Sequence, residues 1–259
     1  MHNDGKVVPI NKAQATPSPL ARLPVVLLQV RDKAAQQLQQ GLQELFDNAD
    51  DTLFEMADKA FDRSDQNLYF EAMRDLRLKR KSIERGFLDT FHDAFLRAGQ
   101  VDLLANLVET GNPRSKAQME RAAAIEGMVA RVLSRDGIAL QQLGLRLQAL
   151  LDRPLYEQHN PLGPAALCRY FLEAGRNLGV GLRVKLVLLK LFERYVLRDA
   201  DVIYGEANQL LAAAGVWAYV VHVTGEGMTP SNMSSVVSLS GGALLANACK
   251  WFFKILWLA

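Results

Sequence analysis

The chain has 259 residues and a mass of 28.7 kDa, enough for one large or two small domains with a sizeable core. At 49% hydrophobic and 22% charged it is not disordered throughout, and a net charge of +2 gives no overall electrostatic case for nucleic acid or membrane. Two distant cysteines, Cys168 and Cys249, exclude a disulfide-rich scaffold and a cysteine-rich zinc module.

Residues 1–24 carry Pro9, Pro17, Pro19 and Pro24 with little apolar surface, which predicts a mobile arm. The apolar run Val25–Leu28 is too short for an export signal, so a cytoplasmic location is expected. From Val25 to about Gly215 the chain is rich in Leu, Ala, Gln, Arg and Glu, strong helix formers, and prolines are confined to Pro113, Pro154, Pro161 and Pro164.

Apolar residues at spacings of three and four predict helices in order. The first runs from Val26 to about Asn48, and a second opens near Asp50, with Asp50 and Asp51 as its N-terminal carboxylates. A third, from an N-cap at Ser64 to Ala98, would span on the order of 50 Å, with Gly86 as a bend. A short helix at Val101–Val108 and a turn at Thr110–Pro113 precede helices at Ser115–Leu133 and Ile138–Leu151. After a loop holding Pro154, His159, Pro161 and Pro164 come Ala165–Asn177, Leu182–Leu197 and Asp199–Ala214, the last ended by Gly215. Leu182–Leu197 is apolar nearly all round and is expected at the centre of a bundle.

No sustained period-two alternation precedes residue 215, so the expected class is all-α, a multi-helix bundle or helical array. The expected organisation is an arm at 1–24, a helical region with a long helix at 25–151, a helical hairpin region at 152–215 and an atypical apolar tail at 216–259. The tail lacks Arg, Asp and Gln and holds all three tryptophans. Its last stretch, Trp251–Leu258, is expected to be aggregation-prone or to touch a membrane interface rather than to span one.

Several long stretches carry a resemblance. They include Gln43–Ala57, Gln66–Arg77, Ile125–Arg131, Asn160–Cys168, Lys185–Arg194 and Tyr204–Leu211. Over residues 22–216 the chain resembles the bacterial family called domain of unknown function 1631, found in large cytoplasmic proteins. The resemblance implies the N-terminal part of a longer protein and supplies no catalytic residues to transfer. Some members carry the label thymidine phosphorylase, which makes nucleoside phosphorolysis an alternative by label alone. The resemblance ends where the tail begins, and the expectation drawn is that residues after about 215 are a read-through or fused segment.

Candidate chemistry is sparse. Asp89, His92 and Asp93 share one side of a helix, but no second ligand set accompanies them, and a solvated polar face is expected rather than a metal site. Gly175, Gly179 and Gly181 lack the dinucleotide spacing, and Cys168 sits in an apolar face, as expected of an inert buried thiol. Gln66–Glu71 is expected to open a helix with its aromatics in the core. No catalytic, cofactor or metal residue is assigned. The strongest patch is basic: Arg74, Arg77, Lys81 and Arg85 fall on one helix face, a candidate partner- or phosphate-binding surface. Glu71, Asp75 and Glu84 stand among them at ion-pair spacing, as a salt-bridged solvated face would have them. The expected function is a non-enzymatic helical interaction or regulatory module with a protein partner, and nucleic-acid binding through the Arg74–Arg85 face is an alternative.

Overall fold

The computed structural model describes residues 24–98, 116–151, 155 and 159–217. The expected arm, the short helix at Val101–Val108 and nearly all of the tail lie outside the described residues. Among the described residues the regular elements are helices and none is a strand: α1 is Val25–Asp58, α2 Arg63–Ala98, α3 Lys116–Leu151, α4 Pro164–Ala174, α5 Leu182–Phe192 and α6 Ala200–Ala213. The all-α expectation holds.

Two pairs of expected helices are each one helix. The first two merge into α1, 34 residues long, because the buried stripe Leu38, Leu42, Leu45 runs on through Ala49, Leu53 and Ala57 without a break. Asp50 and Asp51 therefore lie inside a helix rather than at its start. Ser115–Leu133 and Ile138–Leu151 likewise merge into α3, which carries Gly137 in its interior; Met128, Val132, Asp136, Leu140, Leu143 and Leu147 keep the spacing across it. A single glycine costs a helix only about 1 kcal/mol, which a continuous buried face outweighs.

The ends have identifiable chemistry. Pro24 precedes α1, and its carbonyl accepts the Leu27 amide at 2.9 Å. At the start of α2 it is the Asp62 carboxylate that accepts the Ser64 amide, at 3.1 Å; the expected Ser64 cap is thus one step inside the helix. Pro164 opens α4 at the first turn, where its missing amide costs nothing. Gly215 closes α6 in the left-handed region at φ 79°, with its amide on the Ala212 carbonyl and the Val216 amide on the Leu211 carbonyl, both at 2.9 Å.

α1 and α2 form an antiparallel hairpin joined by residues 59–62. α1 also packs on α5 and α6, α2 on α4, and α3 on α4, α5 and α6. At the centre, Phe171 stacks on Phe192 at 4.5 Å between ring centres, and Phe87 meets Phe192 and Tyr170 at 6.0 and 6.3 Å. These rings tie α2, α4 and α5 together.

The expected helix at Leu182–Leu197 is α-helical only to Phe192; Glu193–Leu197 is a π-helical turn. The wider turn faces α1 at Gly41. A Cβ there would stand 2.6 Å from the Tyr195 carbonyl oxygen and 3.3 Å from the Val196 Cα, so only glycine lets the two backbones approach this closely. Arg135 of α3 completes the junction. Its guanidinium holds the buried Asp136 carboxylate at 2.7–3.0 Å and donates to the Leu197 carbonyl at 2.9 Å.

Candidate interaction surface on the α1–α2 hairpin

The basic residues singled out in the sequence lie on the outer side of α2. Arg74, Arg77, Lys81 and Arg85 are all exposed. Arg77 is held by α1, its Nε on the Asp50 carboxylate at 2.7 Å. Arg74, Lys81 and Arg85 have no carboxylate within ion-pair distance among the described residues. Their neighbours are paired. Lys79 meets Asp75 at 3.2 Å and donates to the Asn177 carbonyl at 2.9 Å, and Arg80 reaches Asp47 at 2.7 Å while covering the Phe46 ring at 5.7 Å.

The expected ladder of ion pairs within the helix is thus mostly absent. Of Glu71, Asp75 and Glu84, only Asp75 takes a cation of α2. Glu84 accepts from the Gln39 amide across the hairpin at 2.8 Å. The cations that are neutralised are neutralised mainly from α1. That arrangement leaves a strip of three uncompensated charges on a solvent-facing surface.

One part of the surface departs from the sequence expectation. Phe70, expected in the core, is 42% exposed, and Phe54 of α1 is 55% exposed. The two rings meet each other at 6.3 Å on the outside of the hairpin. Phe61, in the connection, is fully exposed, and Leu78 lies bare among the cations at 75%. Tyr69, next to Phe70, is buried as expected. The signal available in the sequence was angular: Phe70 is four residues before Arg74 and shares its face, whereas Tyr69 shares the face of Ala72 and Leu76.

The remaining candidates do not converge. Asp89, His92 and Asp93 gather no further ligand, and among the described residues no group of three or more His, Cys, Asp or Glu side chains could hold a metal ion. His92 is half-buried beside Phe91, and burial, with help from Arg31 of α1, lowers its pKa from the usual 6.5. Cys168 is fully buried, and burial first, then Glu193, pushes its thiol up to about 12. Tyr204 is buried with its hydroxyl donating to the Leu162 carbonyl at 3.1 Å, and burial raises its pKa strongly. Cys168 and Tyr204 are thus held neutral in the interior, away from solvent.

Two hollows border the α2 region. An open polar cleft of about 590 Å³ runs between Ser64–Asp75 and the Gly179–Gly181 loop, with Glu71, Arg74 and Asp75 on its wall. A smaller apolar one of about 70 Å³ lies among Leu76, Ile83, Phe171 and Leu188, with Arg121, Arg176 and Lys185 at its edge. Ser64 shares the larger one with Glu71 and Asp75, whereas no Ser, Thr, Cys, His, Asp or Glu lines the smaller.

A helical module whose most distinctive feature is an outward hairpin face is the class this geometry defines. Residues 22–215 match the N-terminal domain of the protein family of unknown function DUF1631, and the chain belongs to that family. Residues 207–255 match a second family of unknown function, DUF6394. Comparison with curated proteins found no match, and comparison with solved structures found none. Among the described residues no helix is long and apolar enough to cross a membrane.

Proposed function

We propose that the chain is a non-enzymatic interaction module that docks a protein partner on the outer face of the α1–α2 hairpin. The observation that carries this reading is the strip of Arg74, Lys81 and Arg85, uncompensated within the described residues and interleaved with bare Leu78 and Phe70. Unpaired cations around exposed apolar groups suit a partner that supplies carboxylates and an apolar contact together. The arrangement fits nucleic acid less well, because Asp51 of α1 borders the same strip, and a protein can meet both signs of charge where phosphates bring only one. The scarcity of cysteine supports a cytoplasmic place of action.

Cross-linking of the full chain in cell extract, with the linked residues mapped, tests the reading. Links should concentrate on residues 54–85 and vanish when Arg74, Arg77, Lys81 and Arg85 are all changed to Glu. Links scattered over the surface and indifferent to that change would contradict it. Salt-dependent binding of random-sequence DNA or RNA, lost in the same variant, would put the nucleic-acid alternative in its place. Turnover of thymidine and phosphate would overturn the non-enzymatic part.

A further inference from the structure

The two helices of the hairpin present matching patterns of opposite charge. On α1 the outward residues are Asp47, Asp51, Phe54 and Asp58; on α2 they are Phe70, Arg74, Arg77 and Lys81. Each set is spaced four, three and four apart, so each forms a single stripe. The two stripes meet at the Phe54–Phe70 contact, with ring centres 6.3 Å apart. Because the helices are antiparallel, Asp51, three residues before Phe54, and Arg74, four residues after Phe70, both stand about one turn from the aromatic pair on the side away from the connection. Within one chain they form no ion pair. The face is thus an acidic rail beside a basic rail, with an aromatic pair between them; Asp47 and Arg77 already have partners in the chain, Arg80 and Asp50, which leaves Asp51, Asp58, Arg74 and Lys81 as its unpaired charges among the described residues.

We infer that a second copy of this chain occupies this face, in a two-fold dimer that lays α1 of one copy over α2 of the other. This deepens the docking reading above and rests on it. A two-fold axis parallel to the hairpin, passing through the aromatic pair, carries an acidic rail onto a basic one twice over. It sets Phe54 against Phe70 of the second copy and Asp51 against Arg74 of the second copy, and the reciprocal contacts follow from the symmetry. The other face-to-face two-fold, with its axis across the helices, would place α1 on α1 and oppose carboxylate to carboxylate. An unrelated acidic partner would meet the α1 aspartates unfavourably, and a basic one would meet the α2 cations in the same way. A second copy matches both rails at once. The stripe is roughly 25 Å long and two helices, about 20 Å, wide, so the dimer would bury on the order of 1,000 Å² in total, the lower edge of specific interfaces. It is therefore a weak, concentration-dependent dimer.

The test is sedimentation of the full 259-residue chain across a wide concentration range, for the natural sequence, Asp51→Arg, Arg74→Asp and an equimolar mixture of the two variants. The natural chain should pass from one-chain towards two-chain mass as concentration rises. Each variant alone should stay at one-chain mass, because each sets like charge against like charge twice. The mixture should recover two-chain mass. There the arginine introduced in one variant faces the aspartate introduced in the other, while the natural Arg74 of the first still meets the natural Asp51 of the second. Circular dichroism of each variant shows that the helices are intact, and recovery in the mixture excludes misfolding as the reason for loss. A natural chain that stays single at every concentration, variants that dimerise like it, or a mixture that stays single would each overturn the inference. If cross-links in extract still map to residues 54–85 while the mass stays single, the docking reading stands and self-pairing fails.

Discussion

Two glycines in long helices show how one side chain's worth of space decides the sign of a mutation. Gly41 of α1 faces the backbone of the π-helical turn, and an added methyl would stand 2.6 Å from the Tyr195 carbonyl oxygen. Gly144 of α3 has nothing within 4 Å of the same position. Gly41→Ala should lower stability by about 1–3 kcal/mol through overpacking against a backbone that cannot move aside. Gly144→Ala should raise it by about 0.5–1 kcal/mol through helix propensity alone. Urea unfolding of both variants checks this, and a Gly41→Ala protein as stable as the parent would mean the turn yields. His92 gives the residue scale a pH dependence. Unfolded, it titrates near 6.5; folded, burial and Arg31 hold its pKa lower against the opposing pull of Asp32, Asp89 and Asp93. Between the two values the unfolded chain binds more protons, so the folded state loses stability as pH falls below about 6.5. Replacing His92 with Gln should flatten the melting temperature over that window, leaving the carboxylate-driven loss at lower pH. An unchanged profile would contradict the assignment.

At the scale of elements, the apolar spacing of three and four was enough to place helix along α1, α2 and α3, because each has one buried stripe. Boundaries were harder, for a physical reason. Asp50 and Asp51 have the chemistry of a helix start, but a start requires the apolar stripe to be interrupted, and Leu45, Ala49 and Leu53 carry it straight through. The carboxylate of Asp50 is used across the hairpin, on Arg77, instead. Gly137, in the expected gap between Leu133 and Ile138, likewise leaves the buried stripe of α3 unbroken. The π-helical turn left no mark that periodicity could register, since it adds a single residue to a run already apolar on most sides. The candidate surface was half legible. The basic stripe on α2 follows from angular position, whereas which cations remain unpaired depends on α1, many residues away in sequence. The exposure of Phe54 and Phe70 was hidden because hydrophobicity alone places an aromatic near a helix stripe in the core, although their registers put them on the charged side.

At the scale of the whole molecule, the described residues divide into an interior whose titratable groups are neutral or paired and an exterior whose most organised face is the α1–α2 hairpin. Inside, Cys168 and Tyr204 are kept neutral by burial, and Asp136 is the one buried carboxylate among the described residues, fully occupied by Arg135. Outside, large apolar side chains are exposed in several places, among them Met119, Ile138 and Val202. Among the described residues, it is on the α1–α2 hairpin that they gather with charges in register. Hydroxyl-radical footprinting of the full chain, in dilute solution, at high concentration and in cell extract, tests the central claim most directly. Phe54, Phe70 and Leu78 should become protected at high concentration and in extract, while Met119, Ile138 and Val202 keep their dilute-solution reactivity. Equal oxidation of Phe54, Phe70 and Leu78 under all three conditions would contradict the account, because a docking face that nothing covers is not one.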